Sequence, residues 1–304
     1  MNTIELLHIR KTYNKGEVIA VEDVSFTVSE GEMFGLIGPD GAGKTSLFRI
    51  LTTLLLPDSG KANVNGHDVV KDFKLIRREI GYMPGRFSLY QDLSVKENLQ
   101  FFATLFNTTI QKNYDLIRDI YVQIEPFKDR RAGKLSGGMK QKLALCCALI
   151  HRPKVLFLDE PTTGVDAVSR KEFWEMLHRL KTEGITILVS TPYMDEAMQC
   201  DRIALLQTGK IMSIDTPQNV VAQFPDPLFA VRASGMSHLL KALRQDQMIR
   251  SCFAFGDYHH ITFKPGGTAE ALKAYLIRES FSDVQIKPVT PTIEDCFIQL
   301  MHHE

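Results

Sequence analysis

The stretch Gly38-Pro39-Asp40-Gly41-Ala42-Gly43-Lys44-Thr45 matches the pattern G-x-x-x-x-G-K-[ST] in full. Its three glycines allow torsions and close backbone approach that a Cβ forbids, so successive N–H groups converge on an anion. Lys44 adds a point charge for outer phosphates, the Thr45 hydroxyl can ligate Mg²⁺, and Ser46 opens the helix whose positive end faces the same anion. A second group, Asp159-Glu160, follows the apolar run Val155-Leu156-Phe157-Leu158 and precedes Pro161. Acids at the carboxyl end of a buried parallel strand face the ligand crevice of an open sheet. There Asp159 is placed to hold Mg²⁺ through water, and Glu160 to accept a proton from, or orient, an attacking water. Two acids capping a helix are the plain alternative, which the phosphate loop upstream makes improbable. A third group, Leu135-Ser136-Gly137-Gly138-Met139-Lys140-Gln141, sets Ser136 and two glycines at a helix start. This reads as a second anion-binding terminus, or simply as a Ser N-cap with flexible glycines.

Positioning these groups takes a particular run of elements. Apolar residues 33–37 read as a buried strand and 46–56 as a helix, the context a phosphate loop requires. Ahead of them, 3–9 and 24–28 read as strands, separated by a polar turn, 11–16, that holds Tyr13. Residues 60–70 read as a small hairpin and 81–85 as a loop. Apolar spacing of three and four predicts helices over 93–107, 114–124 and 138–150, a helical insertion of about 82–148 between two strands of the central sheet. A strand over 185–190, a short helix after Thr191-Pro192-Tyr193, and a hairpin of 203–207 with 210–214 complete a domain of residues 1–222. Phe224-Pro225-Asp226-Pro227 reads as a linker. Residues 223–304 then alternate as a small α+β domain, with strands near 228–233, 251–255, 260–263 and 284–288 and helices near 236–244, 268–278 and 292–301.

The 304 residues carry 36 Lys+Arg and 36 Asp+Glu, a balance without the electrostatic footprint of a nucleic-acid binder. Hydrophobic residues make up 44%, ordinary for a packed core, and no run approaches a membrane span. The first residues lack the regions of a signal peptide, so a cytoplasmic location is expected. Five cysteines without metal or paired spacing are expected as reduced core thiols. The adjacent pairs His259-His260 and His302-His303 lack the spacing of a zinc site.

The order of phosphate loop, helical insertion, LSGGMKQ, VLFLDEP and TTGVD resembles the ATP-binding subunits of ABC transporters over about residues 1–222. The resemblance is strongest to those serving ABC-2 type drug-resistance exporters. It implies a P-loop NTPase of the ABC ATPase type: a RecA-like core sheet, an N-terminal antiparallel β-subdomain and a helical subdomain. It also implies ATP and Mg²⁺ as cofactors. Tyr13 is then the adenine-stacking aromatic, and Gly38 to Thr45 the triphosphate loop. Ser136, Gly137, Gly138 and Met139 form the signature that contacts ATP held by an opposite domain. Asp159 is the Mg²⁺ carboxylate, Glu160 the catalytic base, and Gly164-Val165-Asp166 the loop crossing the dimer interface. A membrane-spanning permease subunit is the implied partner, docking on the segment 85–98 with Phe87 and Tyr90, whose alternative reading is burial within the insertion, so the chain is expected on the cytoplasmic face of a membrane.

Two positions depart from the family pattern. Gly85 stands where the family has the Gln linking Mg²⁺ and attacking water to the membrane subunit, and Gln91 lies too far on to replace it. Pro192 stands where the family has the His that contacts the γ-phosphate. Losing one preorganised donor costs on the order of 10²–10³ in rate, so this chain's own site is expected to bind ATP and hydrolyse it slowly. A second, non-identical ATP-binding domain is the expected partner, because a homodimer would be impaired at both sites. The alternatives are a nucleotide-gated regulatory subunit with negligible turnover and a soluble ABC ATPase not coupled to transport.

Overall fold

The computed structural model describes residues 2–301. The chain divides into two compact units, Met1–Gln218 and Asn219–Glu304, a division that falls inside the helix Pro217–Ala222.

The first unit is built on two sheets. The central one orders its strands Lys210–Asp215, Arg202–Gln207, Met33–Ile37, Thr186–Thr191, Val155–Asp159 and Ile80–Met83. All neighbours are parallel except the first pair. Every residue of Met33–Ile37, Val155–Asp159 and Thr186–Thr191 is buried, which is why these strands read as unbroken apolar runs rather than alternating ones. Their carboxyl ends carry Gly38, Asp159-Glu160 and Thr191-Pro192 to one edge of the sheet.

The second sheet is antiparallel. Asn2–Tyr13 pairs with Val18–Ser29 on one side and with Ser59–Val64 on the other, which in turn meets His67–Asp68. The two long strands exceed the expected 3–9 and 24–28 because bulges interrupt their alternation. The register shifts between Leu6 and Ile9 and again between Ile9 and Lys11, and both His8 and Asp23 adopt positive φ. A period-two reading stops at a bulge although the ladder continues. Lys11, Thr12 and Tyr13 therefore lie in the strand, and the turn starts at Asn14. Phe26 stacks on Phe34 at 5.2 Å, joining this sheet to the central one through a shared core.

Residues 81–83, expected as loop, belong to the edge strand Ile80–Met83. Gly81 there is a packing glycine: a Cβ would lie 2.5 Å from the Ala148 carbonyl of the helix Gly137–Leu149. The helix before it, Phe73–Glu79, is short and buries Ile76 alone, too little for apolar spacing to mark it. The insertion carries the helices Val95–Leu105, Tyr114–Tyr121 and Gly137–Leu149. A capping box of Ser94 and Glu97 starts the first. The second ends at Tyr121, short of 124: the chain then tightens into the 3-10 helix Glu125–Phe127, where Pro126 has no N–H to continue an α-helical ladder.

The second unit runs strand Leu228–Arg232, helix Met236–Gln245, strands Ile249–Phe255 and Tyr258–Phe263, helix Ala269–Arg278, strand Gln285–Val289 and helix Ile293–Met301. Its sheet orders the four strands second, third, first, fourth, all antiparallel, which is the split βαβ arrangement of ferredoxin-like folds. Leu239, Leu243, Leu272 and Leu276 of the first two helices pack with Val231 and Ile261 of the sheet. His260, on the central strand, sets Nδ1 2.7 Å from Asp295 of the last helix. His259 sets Nε2 2.8 Å from the Met236 carbonyl. His302 and His303 lie outside the described residues.

Candidate nucleotide-binding site

The loop 38–45 joins the strand Met33–Ile37 to the helix Lys44–Leu51. Gly43, the residue before the helix, has φ +104°, and a Cβ on it would lie 2.2 Å from the Ala20 carbonyl. At Gly38 a Cβ would meet the Leu206 carbonyl at 2.2 Å. Both glycines are therefore required by backbone packing as well as by approach to an anion. Pro39, Asp40 and Gly41 form the outer rim of the loop, while Ala42 is buried and accepts from the Gly209 N–H.

Lys44 Nζ turns back onto the loop, donating to the Gly38 and Pro39 carbonyls at 2.7 and 3.0 Å and pairing with Glu160 Oε1 at 3.1 Å. The Thr45 hydroxyl lies 3.3 Å from Asp159 Oδ1. Two hard oxygen donors so placed fit an Mg²⁺ ion. On the next residue, Ser46 Oγ lies 3.1 Å from the Tyr13 hydroxyl, which sets that half-buried ring beside the phosphate-loop helix.

Asp159 is buried at the end of its strand. Burial pushes its carboxyl up, against hydrogen bonds from Ser190 (2.7 Å) and Thr45 that favour the ionised form, and the net shift is upward. Glu160 adopts φ +50°, a left-handed conformation costly for a residue with a Cβ, and its N–H is held by Ser190 Oγ at 3.0 Å and the Ser190 carbonyl at 3.1 Å. Ser190 thus touches both acids. Its one signal in the sequence is a hydroxyl that ends the apolar run 187–189.

Ser136 caps the helix Gly137–Leu149, its Oγ accepting from the Met139 N–H. Asp166 caps the helix Ala167–Thr182 through the Val168 and Ser169 N–H groups. The two helix starts adjoin: a Cβ on Gly138 would lie 2.9 Å from Ser169 Oγ, and one on Gly137 3.5 Å from the Gly164 carbonyl. Ser136, Gly137, Gly138, Met139 and Asp166 therefore form a second cluster, distinct from the one around Lys44.

Gly85 abuts the acids, since a Cβ on it would lie 3.0 Å from the Asp159 carbonyl. Pro192 follows Thr191, whose carbonyl accepts from the Gly38 N–H at 3.3 Å at the start of the phosphate loop. The Gln91 carbonyl is taken by the Gly133 N–H.

A family model described as "ABC transporter" matches residues 21–163. The Nod factor export ATP-binding protein I of Rhizobium sp. (strain N33) is 39% identical over 223 residues, 72% of this chain and 73% of that protein. The chain belongs to the ATP-binding proteins of ABC transporters. This ABC protein is also 37% identical over 302 residues, 98% of its length, to the probable multidrug ABC transporter ATP-binding protein YbhF of Escherichia coli (strain K12). It spans about half of that relative, 52%. Among solved structures, a dimeric ATP-binding cassette in a post-hydrolysis state bound to ADP and Pi superimposes with TM-score 0.64 at 25% identity, covering 70% of this chain and 98% of that one. The fold of the first unit is that of an ABC ATPase cassette.

Proposed function

We propose that this ABC protein binds Mg-ATP on its phosphate loop and energises an exporter, with a drug-like compound as the exported class. The observation that carries the reading is the convergence of Lys44, Thr45, Asp159 and Glu160 within hydrogen-bonding distance at the carboxyl edge of the sheet. A triphosphate would draw Lys44 off Glu160 and the loop carbonyls, and the loop N–H groups with the helix start would hold the charge. Thr45 and Asp159 would hold Mg²⁺, which supplies charge neutralisation on the phosphates. Released from Lys44, Glu160 Oε1 is free to take the proton of an attacking water. Tyr13 stacks on the adenine. Ser136 to Met139 serve ATP on an opposite domain, and the turn 164–166 runs between the two. The solved cassette named above is a dimer, which supports such an assembly.

A permease subunit docks on the helical insertion. A groove of about 280 Å³ opens there, with Leu54, Pro84, Leu89, Phe102 and Phe106 in its walls. Tyr90 stands exposed nearby against Phe101, whereas Phe87 is half-buried with Lys140 over its ring. Docking there puts the chain on the cytoplasmic face of a membrane. No helix of the described residues is long and apolar enough to cross one.

With Gly85 and Pro192, the chain's own site turns over slowly, and a non-identical second ATP-binding domain provides the competent site. The test is steady-state hydrolysis by the full chain, unmodified and as Gly85→Gln/Pro192→His. The unmodified chain is expected to be slow, and the double variant to gain at least about tenfold in kcat. Hydrolysis by the unmodified chain at rates the double variant does not exceed contradicts the slow-site reading.

A further inference from the structure

Glu196 meets three segments of the site, and no role described above uses it. Its carboxylate is 4% exposed. It accepts from Thr191 Oγ1 at 2.5 Å, Thr162 Oγ1 at 3.0 Å and Arg170 Nε at 3.0 Å. Thr162 lies just beyond Glu160-Pro161. Thr191 precedes Pro192, and its hydroxyl also takes the Tyr193 N–H at 3.1 Å, closing that turn. Arg170 rides on the Asp166-capped helix, directly after the Ser169 against which Gly138 rests. The guanidinium makes two further contacts with the Pro192 turn, 4.3 Å from the Tyr193 ring centroid and 3.3 Å from Asp195 Oδ2.

A carboxylate withdrawn from water is costly unless donors meet it, and here two hydroxyls and a guanidinium do. An apolar side chain would fill the same volume without that requirement. What the carboxylate adds is direction, since each donor must point at one atom group and three separate segments are thereby held in one register. Resting on the ATPase reading above, we propose that Glu196 is a positioning residue for ATP turnover. With Arg170 as its charged partner, it fixes the exit from Glu160, the Pro192 turn and the helix start that faces Gly138 as a single body.

The test is single-turnover hydrolysis of Mg-ATP by excess full chain, comparing the unmodified protein, Glu196→Gln, Arg170→Gln and the double variant, with thermal midpoints recorded for each. Each single variant is expected to lower the maximal rate on the order of tenfold or more while leaving the half-saturating concentration within about twofold, because misplaced groups cost rate rather than affinity. The double variant is expected to lose no more than either single one, because the two side chains act as a unit. A purely structural role would lower the midpoint and leave the maximal rate per folded molecule unchanged. That result, or additive losses, overturns the inference. Absence of Mg-dependent nucleotide affinity in the unmodified chain overturns the ATPase reading itself, and this one with it.

Discussion

Asp159 shows how one residue's environment sets both its chemistry and its cost. Burial raises its carboxyl above the ordinary 3.8, so the folded chain keeps that proton to higher pH than the unfolded chain does. The sign follows: the stability linked to this group is present at low pH and is lost as pH rises from about 4 through the raised folded value. Asp159→Asn retains Oδ1 as acceptor for Ser190 and Thr45 but cannot ionise. Its thermal midpoint relative to the unmodified protein, both without nucleotide, is expected to be higher at pH 7 than at pH 4. A relative midpoint that falls with pH would contradict this. Lys44, Thr45, Asp159 and Glu160, which the structure brings together, were legible in the sequence because these residue types stand at fixed spacing from the ends of two apolar strands. The roles of Ser190 and Glu196 were not, because Ser190 reaches Glu160 30 residues away and Glu196 joins Thr162 and Arg170, 34 and 26 residues away on other segments, relations that no local pattern encodes.

At the scale of elements, side-chain bonds to backbone decide where loops go. Asn98 is fully buried in the helix Val95–Leu105; its Oδ1 accepts from the Tyr90 N–H, and its Nδ2 donates to the carbonyls of Tyr90, Leu93 and Ser94. One amide therefore folds the segment ahead of the helix against the insertion. Asn98→Ala strands those backbone groups and is expected to cost about 2 kcal/mol. Urea denaturation measures that cost, and a change below about 0.5 kcal/mol would assign the segment's shape to other contacts. Long helices and buried strands were readable from apolar spacing. The edge strand Ile80–Met83 was not, because its Gly81 looks like a turn residue until the helix packed on it is seen. The two long antiparallel strands were cut short for a related reason, since a bulge at His8 and Asp23 resets the alternation that the reading follows.

The molecule as a whole joins a nucleotide cassette to a ferredoxin-like unit, and the last helix of that unit is fixed by a buried polar cluster. Burial alone would push Asp295 up, but bonds from His260 and from the N–H and hydroxyl of Thr292 outweigh it and hold the carboxyl below its ordinary range. That stability is present above pH 4 and lost as pH falls through the depressed value. Asp295→Ala is expected to destabilise the second unit by about 2 kcal/mol at pH 7 and by less at pH 3. Circular dichroism melts at the two pH values measure the difference, and an equal loss at both would contradict the ionised pairing. The topology of this unit was open to an α+β reading, but its strand order depends on non-local pairing that composition does not carry.

The central claim is that the loop led by Gly38 holds Mg-ATP through Lys44. Isothermal titration of the full chain with ATP, with magnesium and with a chelator, tests it against Lys44→Ala. Mg-dependent affinity in the unmodified chain, weakened roughly tenfold to a hundredfold in the variant, is the expected result. Equal affinity in both proteins, or none that depends on magnesium, would contradict it.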